Sequence, residues 1–303
     1  MDLSIIVNGV ISLFLIILVG VYAAKRKIIT KEINKGLTNI LLKITLPCLV
    51  VSSFIFDLSD ELKGNIIKCF IYSPLVLLIS IVVSYIFLLP IKGGKKIIIQ
   101  FANVFSNCGF IGFPIVFSIY GNEGVIYASI FNLFFTVFLW TYGVILFNGK
   151  MKREDIKQVL LNPAIIAVII GLIIMILGVN IPNVLSSTLD LVGNMTSPLS
   201  MIIVGVILGN AKIIFYLKDK SIYYSAFLKL IVMPCIIILI LKIINDNSLV
   251  SKTLIILTAM PAAAMTSILA ESFDKESEYS AVIVFITTLF SLITFPILLN
   301  FML

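Results

Sequence analysis

Ten apolar runs follow one another along the chain and are separated by short polar loops. The runs cover about residues 5–24, 36–54, 66–89, 97–120, 124–147, 163–181, 185–209, 224–244, 252–272 and 279–302. Each is close to the ~20 residues that an α-helix needs to cross the hydrocarbon core of a bilayer. A helix can cross because it satisfies its backbone hydrogen bonds internally. The pattern therefore predicts an all-α membrane protein with ten transmembrane helices.

The fourth and ninth runs contain residues that interrupt a helix. The segment 107–114 reads NCGFIGFP, and Gly112 and Pro114 are its helix breakers, while Pro261 interrupts the ninth run. Proline has no N–H and clashes with the carbonyl four residues earlier. Backbone groups freed in this way are tolerated at membrane depth only where protein or a water-filled cavity satisfies them. We expect both helices to be broken at mid-depth, although a kinked, continuous helix would explain one such run alone.

The loops alternate in charge. The first four odd-numbered loops carry 15 Lys or Arg residues, whereas the even-numbered loops carry about two. By the positive-inside rule the odd-numbered loops are cytoplasmic, so both termini lie outside. The first run is not a secretory signal, because only Asp2 precedes it and its positive charges follow it.

Weak internal similarity divides the chain into two halves, residues 1–150 and 151–303. The segment 45–49 resembles 196–200, and 120–130 resembles 273–283, at nearly constant offsets. Each half holds five runs, and because five is odd the second half enters the membrane from the opposite side. An inverted repeat of this kind is the usual plan of secondary transporters, and interrupted spans at matching positions indicate a binding site at the membrane midplane.

Composition narrows the class further. The chain of 303 residues is 60% hydrophobic and 12% charged, where a soluble domain has about 25% charged residues. The net charge of +7 indicates how the loops are oriented across the membrane. It does not indicate nucleic-acid binding, since no basic solvated face is available. The chain has no histidine, its four cysteines lack metal-ligand spacing, and no catalytic or phosphate-binding motif occurs. We therefore expect no enzyme activity, no cofactor and no metal.

Candidate substrate-binding residues cluster at the two interruptions. Asn107 could offer its amide to a substrate, or could satisfy the carbonyls of its own break. Cys108, Gly109 and Ala262 are small enough to let a ligand reach the backbone, and Met260 lies beside them. A half-helix that starts at the break directs partial positive charge toward an anion.

Other polar residues lie inside the predicted spans. Lys43 is an ionisable residue within the second run, which makes it functional by default, although snorkelling to the membrane edge is the alternative. Asp190 and Asn194, one helical turn apart in the seventh run, are candidates for ion coupling. Asn132 in the fifth run could bind substrate or bond to a neighbouring helix.

Several ordered motifs resemble the auxin efflux carrier family, which includes PIN-like bacterial permeases. These motifs are 20–22 (GVY), 46–47 (LP), 107–114, the segment from Pro198 to Leu208, and 260–262 (MPA). The resemblance implies the fold of bile acid/sodium symporters, with a scaffold from helices 1, 2, 6 and 7. It also implies a core domain from helices 3–5 and 8–10, in which the broken helices 4 and 9 cross.

The resemblance and the residues together favour one function. We expect a multi-pass cell-membrane protein that is a secondary active transporter of small organic anions such as carboxylates, with elevator-type alternating access and a possible homodimeric assembly. The alternatives are a sodium-coupled organic-anion symporter and a membrane sensor that does not transport. The second interruption offers few polar side chains, which disfavours the symporter.

Overall fold

The computed structural model describes residues 3–55, 60–91, 93–149, 161–210, 216, 218–273 and 275–302, and every regular element among them is a helix. We number these helices in chain order. They are α1 (Leu3–Lys25), α2 (Lys31–Ser53), α3 (Asp60–Phe87), α4 (Gly94–Val104), α5 (Cys108–Asn148), α6 (Pro163–Leu177), α7 (Asn183–Asn210), α8 (Lys220–Ile243), α9 (Leu249–Ala259), α10 (Met265–Ser272) and α11 (Ser277–Met302).

Six of these helices are long and apolar enough to cross a membrane. They are α2, α3, α5, α7, α8 and α11, while the apolar helices α6 and α9 are shorter. The chain is therefore a multi-pass helical membrane protein, as the apolar runs predicted. The finer plan, ten spans arranged as an inverted repeat with crossing broken helices, stays a prediction.

Helix α5 contains the boundary between the fourth and fifth apolar runs. At Gly121 its backbone leaves the helical region, with φ 60° and ψ −150°. Residues with a Cβ rarely adopt positive φ, so glycine suits this position. The turn that the sequence placed after residue 120 is thus made within a nearly continuous helical stretch.

The chain folds into two compact units, and each takes residues from both halves of the sequence. The first unit comprises residues 1–70, 109–133 and 159–210. In it α1 packs along α7 at very close range, because Gly20 and Gly205 face each other. A Cβ on Gly20 would collide with the carbonyl oxygen of Ile202. Small residues commonly allow such backbone contact between membrane helices.

The second unit comprises residues 71–108, 134–158 and 211–303. Here α4 packs against α8, α10 and α11. Aromatic side chains fill the space beside α4, with Phe101 4.4 Å from Phe105 and 5.3 Å from Phe147 between ring centroids. This packing fixes the end of α4, where the candidate site begins.

Candidate functional site

Two helices of the second unit end close to the predicted interruptions, although Gly112 and Pro114, the expected breakers of the fourth run, lie inside helical turns of α5. Helix α4 ends at Val104, and the chain is non-helical until Cys108. Helix α9 ends at Ala259, and the next helix begins at Met265. Both ends have an extended residue, since Phe105 has ψ 105° and Met260 has ψ 149°. We call 105–107 the first break and 260–264 the second break.

The two breaks pair with each other. Ser106 and Ala262 form an isolated antiparallel bridge. The Asn107 N–H donates to the Pro261 carbonyl at 2.7 Å, and the Ala263 N–H donates to the carbonyl of residue 105 at 2.9 Å. Buried backbone groups need partners, and here groups freed from one helix are satisfied by the other break.

This pairing takes the usual N–H donors away from carbonyls at the end of each helix, and those of Asn103 and Thr258 are two of them. In a continuous helix the carbonyl of Asn103 would accept from the N–H of Asn107, but that N–H is used by Pro261. Likewise the carbonyl of Thr258 loses the N–H of Ala262, which donates to the Thr287 hydroxyl on α11 at 3.2 Å. Each of these two carbonyls therefore needs a new donor.

Lys229 supplies the donor at the first break. It lies on α8 in a π-helical turn, Leu228–Val232, and is fully buried. Its Nζ donates to the carbonyl of Asn103 at 3.0 Å and to Ser106 Oγ at 2.6 Å. The Ser106 hydroxyl in turn donates to the Thr258 carbonyl at 3.3 Å. One ammonium and one hydroxyl thus connect the ends of α4 and α9 with the middle of α8.

The charge of Lys229 has no carboxylate partner among the described residues. A buried charge is costly unless it is paired or well hydrogen-bonded. Helix C-termini carry partial negative charge, and the acceptor Asn103 belongs to the last turn of α4. An ammonium has three N–H donors, and two of them have partners within the described part of the chain. In the protonated form a third N–H would be left to donate to a ligand.

Two further buried polar atoms near the breaks lack partners among the described residues. They are Asn103 Oδ1, at the end of α4, and Thr266 Oγ1, in the first turn of α10. Native proteins rarely leave such atoms unsatisfied, so each calls for water or a ligand. Their positions are consistent with a polar binding site at the paired breaks.

A second contact joins α4 and α8 at their N-terminal ends. Lys95 Nζ lies 2.6 Å from Asp219 Oδ2, and Asp219 also caps α8 by accepting from the N–H of Ser221 at 3.0 Å. The bond to Asp219 raises the pKa of Lys95. Partial burial opposes ionisation of Asp219, but the bonds from Lys95 and Ser221 outweigh it and hold the pKa of Asp219 below its usual value. Helix α4 is therefore held to α8 at both of its own ends, by the start of α8 and by Lys229 in its middle.

The predicted site residues divide between the two units. Asn107, Cys108, Met260, Pro261 and Ala262 are buried together at the paired breaks in the second unit. The others belong to the first unit, and they are Lys43, Gly109, Gly112, Pro114, Asn132, Asp190 and Asn194.

Within the first unit these residues differ in exposure. Asn132 is buried, whereas Asp190 and Asn194 on α7 are exposed. Lys43 is also exposed and lies in a π-helical turn, Leu41–Thr45. Their roles in binding or ion coupling stay predictions.

Lys229, Asn103 and Ser106 were not predicted. A signal for Lys229 existed, because it is a charged residue inside the eighth apolar run and such residues mark functional sites by default. Nothing in the sequence indicated that it would meet Asn103 and Ser106, which lie more than 120 residues away along the chain.

Paired breaks beside a buried cation, in a multi-pass helical protein, are typical of membrane transporters. The chain matches the family model described as "membrane transport protein" over residues 5–299. It therefore belongs to this family, which is that of the auxin efflux carriers and PIN-like permeases, and the resemblance seen in the sequence is confirmed.

Several proteins that are similar to this chain over nearly its whole length are described as transporters. One is an uncharacterized transporter of Methanocaldococcus jannaschii, 26% identical over 94% of both chains. Another is an uncharacterized transporter of Methanothermobacter thermautotrophicus, 23% identical over 95% of both. The uncharacterized transporter YfdV of Escherichia coli is 22% identical over 97% of both. These relatives and the family support a membrane transporter.

Proposed function

We propose that this protein is a secondary active transporter of small organic anions and that the anion binds at the paired breaks. The observation that carries the proposal is Lys229, a fully buried ammonium with two hydrogen-bonded oxygens and no carboxylate partner among the described residues. Such a site has a positive charge to neutralise and one N–H donor to offer. A carboxylate would neutralise the charge and accept the hydrogen bond.

The surroundings of Lys229 support an anion rather than a neutral ligand. A charge-assisted hydrogen bond from an ammonium to a carboxylate is about twice as strong as a neutral one. Helix α10 begins directly after the second break and directs partial positive charge toward it. Thr266 in its first turn has a buried hydroxyl that could donate to a second ligand oxygen. Asn107 and Cys108 would line the same site.

The finer parts of the proposal come from the resemblance and the loop charges. They are ten spans as an inverted repeat, crossing broken helices, elevator-type alternating access and termini on the outside. Lys43 would attract or gate the anion from the scaffold, and Asp190 and Asn194 would act in ion coupling. A reporter active only in the cytoplasm, fused after Leu303, should give no signal, and a strong signal would refute the orientation.

The substrate class is tested by matched ligand pairs. Purified protein is screened by thermal shift against small carboxylates, and each ligand that binds is compared with its uncharged amide. We expect the acid to bind more than tenfold tighter, which corresponds to about 1.4 kcal/mol. Flux of the same acid into proteoliposomes then tests transport. Equal affinity for acid and amide would refute the anion site.

A further inference from the structure

We propose that the Lys229 ammonium is a tethered cation, which fills an oxygen-lined site between the ends of α4 and α9 and removes the need for a dissociable coupling ion there. The proposal rests on the proposed function in one respect, that the paired breaks are the transport site. It goes beyond that function because it predicts which ions the site does not use.

The position of Lys229 is one that favours a cation. In transporters with discontinuous helices, unwound carbonyls and half-helix C-termini coordinate Na⁺ or protons, while half-helix N-termini face anionic substrate groups. Here α4 and α9 both end at the breaks, and the ammonium lies on the carbonyl of Asn103 in the last turn of α4. It therefore lies at the cation-binding end of a broken helix.

The oxygens around the ammonium are of the kind that bind Na⁺. The set consists of the Asn103 carbonyl, the Ser106 hydroxyl and, bonded to that hydroxyl, the Thr258 carbonyl. Asn103 Oδ1 is a further buried oxygen, and it has no partner among the described residues. Uncharged carbonyl and hydroxyl oxygens suit hard cations. They suit an ammonium equally, because all its N–H groups donate and none accepts.

A covalently attached cation changes how the site is occupied. Its effective concentration is set by the chain rather than by the surrounding solution. Lys229 is fully buried, so its ammonium holds the two breaks together whatever ions are outside. Transport of an anion should then proceed without Na⁺, and the breaks should remain paired in its absence.

The test compares thermal unfolding midpoints of full-length purified protein in sodium, potassium, methylammonium and choline chloride. We expect the wild-type midpoint to be the same in all four salts. In Lys229→Ala the site loses its cation, so the midpoint should fall by several degrees in choline. It should recover in sodium or methylammonium, which are small enough to enter. Choline is too large.

Two variants serve as controls. Lys229→Met keeps the length of the side chain but places apolar atoms among the oxygens, so its midpoint should fall and no salt should restore it. Lys242→Ala removes an exposed charge from the same helix and should show the wild-type response. A Lys229→Met protein as stable as wild type would overturn the proposal, as would a Lys229→Ala protein indifferent to every cation.

A third measurement needs no variant. Flux of a carboxylate substrate into proteoliposomes is compared with and without an inward sodium gradient at fixed membrane potential. Equal rates are expected, and acceleration by sodium would overturn the tethered cation. The acid–amide comparison above does not depend on sodium, so failure of this inference and failure of the anion site give different results.

Discussion

The two breaks are similar in backbone geometry but differ in chemistry. Each ends a helix, contributes one residue of the short bridge, and leaves helix carbonyls, among them that of Asn103 or Thr258, without their usual donors. At the first break the free carbonyl accepts from the ammonium of Lys229. At the second it accepts from the neutral hydroxyl of Ser106. The side chains of the first break include a serine and an asparagine, whereas those of the second are apolar or small.

This difference indicates a division of roles. Hydrogen bonds that involve a charged group contribute about 1.5–3 kcal/mol, and neutral ones about 0.5–1.5 kcal/mol. The first break therefore sets the charge and polarity of the site. The second break fixes the backbone against which the first is held. Equivalent positions in the two predicted halves should then respond very differently to substitution.

The largest effect is expected at Asn107. Asn107→Leu removes the amide from the paired breaks and should abolish transport, while expression and the unfolding midpoint change little. The matched variant is Ile256→Leu on α9, which exchanges one buried apolar side chain for another outside both breaks and should transport normally. Flux in proteoliposomes measures both. Normal flux in Asn107→Leu would show that the first break does not form the site.

The next comparison concerns the two hydroxyls that serve the breaks. Ser106→Ala removes an acceptor from Lys229 and a donor from Thr258, so the free energy of unfolding should fall by about 1.5–3 kcal/mol. Thr287→Val removes only neutral bonds, the one accepted from the N–H of Ala262 and those donated to the carbonyls of Ile283 and Val284 on its own helix, and should cost about 0.5–1.5 kcal/mol. Denaturant titration measures both losses. Equal losses would contradict the assignment of the charged contact to the first break.

A smaller effect is expected from the proline of the second break. Pro261→Ala restores a backbone N–H that could donate to the carbonyl of Leu257, four residues earlier. The end of α9 should then favour a longer helix, and transport should slow several-fold while substrate affinity changes little. Initial rates and equilibrium binding separate these outcomes. Loss of affinity without loss of rate would place Pro261 in direct contact with substrate.

The smallest effect is expected at the contact between Lys95 and Asp219, which joins the N-terminal ends of α4 and α8. Lys95 and Asp219 are partly exposed, and such ion pairs contribute roughly 0–1 kcal/mol. The pKa of Asp219 is lowered, so its contribution is lost as pH falls through that value, below the usual 3.8. The pKa of Lys95 is raised, so its contribution is lost only above the usual 10.5.

Between these two pH limits, the unfolding midpoints of wild type and Asp219→Asn should differ by a small amount that does not depend on pH. Unfolding midpoints at several pH values measure it. A difference that grows near neutral pH would mean that another titrating group controls the contact.

The sequence predicted the helical membrane class because it depends on local features, whereas the first break precedes its expected breakers Gly112 and Pro114, which are helical. Apolar runs follow from bilayer thickness, and Pro261 breaks a helix whatever surrounds it. The chemistry of the site could not be predicted in the same way. It depends on Lys229 meeting Asn103 and Ser106, and those contacts are made only when α8 packs against α4. The loss of helix hydrogen bonds at a break could be foreseen, but the side chains that replace the lost donors could not.

Lys229 also affects how the protein is made. A lysine at the centre of an inserting helix opposes insertion by about 2.5–3.5 kcal/mol, whereas leucine and isoleucine favour it by a few tenths each. The stretch around Lys229 is rich in both, which offsets this cost. Its acceptor oxygens on Asn103 and Ser106 lie earlier in the chain, so they are synthesised before α8 emerges from the ribosome. The buried charge can therefore find its partners as soon as it enters the bilayer.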